Sequence, residues 1–398
     1  MEVRSLRRLL SSARGASWTR RADLFLVALA VLGLGIHTLT ESTRRMNPRP
    51  YLAEKMGAAT RAIRCFEAIR EARLGTPSSQ DTENDPEGSG LIGQEFTLTT
   101  TDRGVLEAKL TSVNPNFAAV FVEYFKDMGL ERGDAVAIAL TGSFPALNVT
   151  VLAAAEELGL RALPITSVGA SMWGANDPSF TWLDMETLLN RQGLLATRSI
   201  GASIGGSNDR GRGLSPRGRA LLREAIERNG VALIREPTLD ESVKKRLEMY
   251  REAAGPAGVR AFVNVGGGAA ATGTQQNSDL IPPGVNRSLK PYNWTQRGVI
   301  HYFGRERIPF VHVLNIESIA QANGLPTVPE RVPPVGEGEV FYREMYDLRI
   351  AGPALAVYLV LCFGVLRARH RAAQAARVVE VPAAITAIGA EPVSQSRG

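Results

Sequence analysis

The chain has 398 residues, 46 Lys and Arg against 40 Asp and Glu, a formal net charge of +6, and 44% hydrophobic residues. Its two cysteines, Cys65 and Cys362, exclude a disulfide framework and a cysteine-built metal site. The positive charge sits at the two ends of the chain, so it is read as membrane topology and lipid-headgroup contact more than as nucleic-acid binding.

Residues 1–21 form a basic tail carrying Arg4, Arg7, Arg8, Arg14, Arg20 and Arg21. An apolar run from Leu24 to Leu39 follows and places a transmembrane helix at 22–40. A crossing takes about 20 apolar residues, so this one is short. A cleaved leader is the other reading, because a short apolar run after positive charge suits a signal peptide. No A-x-A-like site follows Leu39, which favours a retained span.

Residues 41–90 read as an amphipathic helix and a flexible linker. Leu52, Met56, Ala59, Ile63 and Phe66 recur at spacings of 4 and 3, one face of a helix over 51–73. From Thr76 to Gly90 the chain is Pro, Ser, Asp, Glu and Gly with almost nothing apolar, too little to offset its ordering entropy.

Residues 91–349 carry an α/β rhythm. Asn116 stands where it can cap a helix containing Phe117, Val120, Phe121, Tyr124, Phe125 and Met128. Ala135 to Leu140 is a continuous apolar run, the mark of a fully buried strand. A loop, a helix ending at Gly159 and a second strand over 161–166 complete a βαβ unit. The pattern then predicts helices over 216–229 and 239–254, strands over 231–234, 259–265 and 308–314, and a short helix over 316–323. Alternating strands and helices predict a three-layer, mostly parallel α/β domain. A second apolar run predicts a transmembrane helix at 350–366, and 367–398 is a second basic tail. The tails hold eleven basic side chains against three acidic ones, leaving the stretch between them at −2.

Three glycine-rich loops are the candidate binding elements. In the first, Thr141, Gly142, Ser143 and Asn148 join a strand to a helix, where backbone N–H groups can hold an anion. The second contains Gly205, Gly206 and Ser207, and its small residues permit close approach of a ligand. The third follows the strand over 259–265 and contributes Asn264, Gly266, Gly267, Gly268 and Thr272. Ligands of open α/β sheets bind beyond the carboxyl ends of strands. Each loop is equally readable as a plain turn. No loop continues into Gly-Lys-Ser/Thr, so no nucleotide cofactor is expected. No histidine pair has metal-ligand spacing, so no metal is expected. Ser143 stands where an elbow nucleophile would, but its surroundings lack G-x-S-x-G. A triad would need His301 or His312 as base and an acid such as Asp184. Arg198, Arg210, Arg212, Arg287 and Lys290 lie near the loops and are read either as a polyanion-attracting cluster or as a scattered solvated set.

Six stretches carry a family resemblance: 91–95 (LIGQE), 111–119 (TSVNPNFAA), 140–148 (LTGSFPALN), 173–176 (WGAN), 180–186 (FTWLDME) and 262–268 (FVNVGGG). With these the chain resembles the bacterial poly-gamma-glutamate system protein family, and the stretches span most of the domain. The resemblance implies a system rather than a reaction and brings no catalytic signature. It implies an accessory component of poly-γ-glutamate synthesis or export in the bacterial cytoplasmic membrane, with its main domain extracytoplasmic. Its implied partners are the polymer, membrane lipid and other membrane subunits of a synthase or export system. A hydrolase or transpeptidase acting on the polymer, or a small-anion sensor, are the alternative expectations.

Overall fold

The computed structural model describes residues 24–74, 83–290 and 292–379. The expected tail at 1–21, the first part of the expected linker and the end of the second tail lie outside them. The chain divides into two compact units, Pro48–Arg343 and the segments flanking it.

In the flanking unit, two helices are long and apolar enough to cross a membrane, Leu24–Ser42 and Leu348–Arg371. The second helix thus contains the whole 350–366 span read from sequence and continues into Arg367, Arg369 and Arg371. Gly33 sits against Tyr358, where an added Cβ would stand 2.9 Å from the phenolic oxygen. Where these two helices meet the intervening chain, Arg44 pairs with Glu344 at 2.9 Å and the Tyr346 hydroxyl donates to Glu41 at 2.9 Å.

Pro48–Arg343 is a mixed α/β domain built on a six-stranded, mostly parallel sheet. Its strands are β1 (Ala135–Thr141), β2 (Arg161–Ser167), β3 (Gly201–Ser203), β4 (Val259–Val265), β5 (Gly284–Asn286) and β6 (Phe310–Val313). Their order is β3-β2-β1-β4-β6-β5, parallel except for the edge strand β5. β1 is buried along its whole length, as a continuous apolar run between two parallel neighbours should be. Successive side chains leave opposite faces, so the sheet feeds two separate cores. Val136, Ile138, Leu140, Val263 and Val265 enter one. Ala135, Ala137, Ala139, Ile165 and Phe262 enter the other.

The helices used below are α1 (Leu52–Arg73), α2 (Leu106–Ser112), α3 (Phe117–Asp127), α4 (Pro145–Glu157), α5 (Trp182–Arg191), α6 (Pro216–Arg228) and α7 (Leu239–Ala254). Residues of α1, α3, α4, α5 and α6 join the first core, and Val243, Leu247 and Tyr250 of α7 join the second. Thirteen-residue α4 is buried from Pro145 to Ala155. Lys55 of α1 bonds Glu123 of α3 at 2.7 Å, an ion pair at the edge of that packing.

Chain direction sets the site. From β1 the chain moves through α4 to β2 and on to β3, then returns to place β4 on the other flank of β1. The order therefore reverses between β1 and β4, which opens a crevice at their carboxyl ends.

Three local expectations are corrected. Residues 231–234 form no strand; only Leu233 bridges to Ala202, and Ala232 and Leu233 face solvent. Asn116 does not cap α3: its side chain donates to the Pro334 carbonyl at 2.9 Å and accepts from Gly336 N at 3.1 Å. The described end of the expected linker is fastened. Asp85 accepts from Ser89 Oγ and Gly90 N, both at 3.1 Å, and Arg73 donates to the Gly90 carbonyl at 3.2 Å.

Candidate functional site: a cleft at the carboxyl ends of the strands

The three glycine-rich loops converge. Together with the start of α2 they line one cleft of about 820 Å³. Thr141 and Ser143 come from the loop after β1, Gly206 and Ser207 from the loop after β3, and Gly267 and Gly268 from the loop after β4.

Each loop is held from beneath. Gly142 donates to the Ser167 carbonyl at 3.0 Å and accepts from Ala175 N at 2.7 Å. An added Cβ there would stand 2.4 Å from the Val168 carbonyl oxygen, so glycine is required for this approach. Asn148, one turn into α4, donates to the Thr141 carbonyl at 2.8 Å. Asn264 performs the same service for the third loop, donating to the Gly266 carbonyl at 2.6 Å. Thr141 Oγ1 reaches the Val265 carbonyl at 3.3 Å and ties the first loop to the third. Thr272 folds back onto the Gly268 carbonyl at 3.3 Å.

The second loop turns at Gly205 and Gly206, whose φ angles of 69° and 68° lie in the left-handed region that suits glycine. A buried pair pins it: Arg246 of α7 meets Asp209 at 3.1 Å and Ser203 Oγ at 2.7 Å. Ser242 and Ser203 also donate to the Asp209 carboxylate. Such a buried pair is tolerated because the Asp209 carboxylate and one guanidinium nitrogen of Arg246 are each bonded several times over.

Lys109 of α2, which sequence reading passed over, is the distinctive group of the cleft. It is buried, and its Nζ donates to the Ser143 carbonyl oxygen and lies 2.9 Å from Ser171 Oγ. The ring of Phe144 lies beneath it, 3.8 Å from Nζ to the centroid. Among the described residues no carboxylate pairs with it, and burial pushes its amine down to about 7. Arg103, exposed, lines the same cleft, as do Asp102 and Glu317. Sequence offered no distinctive signal for Lys109, which stands two residues after Glu107 in a short helical stretch.

The expected triad is not assembled. His301 and His312 do not line the cleft; burial pushes both down to about 4. His312 Nδ1 contacts Asn264 at 3.0 Å, and His301 Nδ1 accepts from Gly298 N at 3.0 Å. Asp184 caps the start of α5 by accepting from Thr181 N at 2.7 Å and pairs with Arg228 at 2.6 Å. Ser143 Oγ instead accepts the Ser171 N–H at 3.0 Å. None of Arg198, Arg210, Arg212, Arg287 and Lys290 lines the cleft. Arg198 bonds the Asn229 carbonyl at 2.7 Å and Arg210 the Pro237 carbonyl at 2.6 Å. The described residues hold no cluster of three His, Cys, Asp or Glu side chains suited to a metal.

Comparison with protein-family models, with curated proteins and with solved structures finds no match for this chain.

Proposed function

We propose that the chain is a membrane-anchored accessory component of poly-γ-glutamate synthesis or export, and that its cleft holds a segment of the emerging polymer. In this reading a three-layer domain stands outside the bacterial cytoplasmic membrane between two retained spans, beside other membrane subunits of the system. The observation that carries it is the meeting of three glycine-rich loops in one polar cleft at the strand reversal. Poly-γ-glutamate offers an amide and a carboxylate in every repeat. The cleft offers matching donors: the hydroxyls of Ser143, Ser171 and Ser207, and the guanidinium of Arg103. The charge of Arg103 is offset by Asp102 and Glu317. Recognition therefore rests on hydrogen bonds more than on net charge, which suits a polymer that must be held and then released.

The test is calorimetry of the full-length protein in detergent with γ-linked glutamate oligomers, with inorganic phosphate as a separate titrant. Saturable oligomer binding is expected, weakened about three- to tenfold by Arg103→Ala. Loss of the gene is expected to lower cell-bound or released polymer. Unchanged polymer together with no oligomer binding overturns the proposal, and binding of phosphate alone favours a small-anion sensor.

A further inference from the structure

We infer that Ser171 and Lys109 form a serine–lysine acyl-transfer pair, with Ser171 as nucleophile and Lys109 as the base that activates it. The geometry comes first. Lys109 Nζ lies 2.9 Å from Ser171 Oγ, within reach for direct proton transfer. Ser171 lines the cleft and is half-buried, so its hydroxyl is open to a substrate. The environment of Lys109 suits a neutral amine. Such an amine has two hydrogens and one lone pair. One hydrogen satisfies the Ser143 carbonyl, and the lone pair is left to accept the Ser171 hydroxyl proton. A lysine used only for charge would be expected beside a carboxylate, and none of the described carboxylates pairs with this one. Its amine, pushed down to about 7 by burial, is then largely unprotonated at slightly alkaline pH.

Ser143 completes the arrangement. Because its Oγ accepts the Ser171 N–H at 3.0 Å, its own hydroxyl hydrogen is free to donate toward an oxyanion in the cleft. Ser171 Oγ attacks the carbonyl carbon of an amide or ester, a C–O bond forms, and the hydroxyl proton passes to Lys109 Nζ. The C–N or C–O bond to the leaving group breaks as Lys109 returns that proton to the departing nitrogen or oxygen. The acyl ester on Ser171 is then released to water, or to an amine in a transfer reaction, with Lys109 taking the attacking proton and Ser171 recovering it. The substrate class is an acyl compound with an extended amide chain, and this step goes beyond the holding role proposed above.

The test uses the full-length protein in detergent with a fluorophosphonate probe, followed by peptide mass spectrometry. A single adduct on Ser171 is expected, forming faster as pH rises through about 7. Ser171→Ala should abolish it. Lys109→Arg keeps a long basic side chain but stays protonated and cannot act as a base at this pH, and should slow labelling by about 100-fold or more. No adduct on the wild-type protein, an adduct only on another residue, or wild-type labelling of Lys109→Arg overturns the inference. Should Lys109→Arg lose its melting transition, the wild-type pH profile decides alone: a rate that is flat from about pH 5 to 9 overturns it. The probe needs no polymer. A protein that labels at Ser171 yet binds no glutamate oligomer keeps the catalytic pair and loses the polymer reading.

Discussion

Glu186 of α5 shows what burial does to a single side chain here. It has no exposed surface and accepts from Ser199 N at 2.9 Å and Ser199 Oγ at 2.8 Å. Burial pushes its carboxyl up to about 7, from an ordinary value of 4.5. Between those values the folded protein holds a proton that the unfolded chain has lost. The contribution of Glu186 to stability is therefore full below pH 4.5 and is lost as pH rises through 7. Glu186→Gln removes this dependence. Relative to wild type, it should gain on the order of 3 kcal/mol between pH 4.5 and pH 8, read from denaturant melts at the two pH values; a constant gap between the two proteins would refute it. Residue-scale chemistry of this kind is where sequence says least. Thr141, Ser143, Gly267 and Gly268 were legible because a glycine or hydroxyl after an apolar run is a local signal. Lys109 was not, because its character comes from burial over the Phe144 ring and against Ser143, and from the lack of a described carboxylate partner. Asp184 drew attention as a candidate acid, yet its geometry makes it a helix cap and ion-pair partner.

At the scale of elements, periodicity carried far where elements were long. The helices at 52–73, 216–228 and 239–254 and the strands at 135–141, 161–167 and 259–265 all follow the apolar pattern. β3 has three residues with one glycine and β5 has three with another, too short for a period to register. Residues 231–234 were over-read because an apolar tetrad looks the same whether it pairs inside a sheet or lies half-exposed beyond its edge. The loops that these elements position differ in how much they tolerate. Gly142 faces the Val168 carbonyl oxygen, 2.4 Å from an added Cβ, and that oxygen belongs to backbone that cannot swing aside. Gly142→Ala should cost about 1–3 kcal/mol and displace the first loop from the cleft. Gly267 meets nothing closer than Gln275 Oε1 at 3.9 Å. Gly267→Ala should leave stability within about 0.5 kcal/mol of wild type. Its methyl group intrudes on the cleft, and should weaken oligomer binding by about tenfold. Thermal melts and calorimetry on the pair separate a glycine needed by the fold from one needed by a ligand. Equal melting losses in both variants would contradict that division.

For the whole molecule, the decisive quantity is the side of the membrane on which Pro48–Arg343 lies. Two helices carry the length and hydropathy for a crossing, and an even number of crossings puts both tails on one side. Six arginines precede the first apolar helix, while Arg44, Arg45, Arg49 and Lys55 follow it closely. Three of those four are engaged within the protein: Arg44 with Glu344 at 2.9 Å, Arg49 with Glu123 at 2.5 Å and Lys55 with Glu123 at 2.7 Å. At the other end Arg367, Arg369, Arg371 and Arg377 follow the apolar run that ends at Leu366. The proposed topology, with cytoplasmic tails, uses this charge, since basic residues tend to stay on the inner face where anionic lipid is exposed. Single cysteines test this directly. Cys65 is buried, and Cys362 lies within the second apolar helix, so a Cys362→Ser background is quiet toward a membrane-impermeant maleimide. In that background Gln192→Cys, exposed at the end of α5, should label in intact cells. Ser394→Cys, in the basic tail, should label only after the membrane is opened. The reverse pattern would place the cleft in the cytoplasm, where it would meet polymer during synthesis rather than on emergence. Labelling of both sites in intact cells would mean that the second helix does not cross.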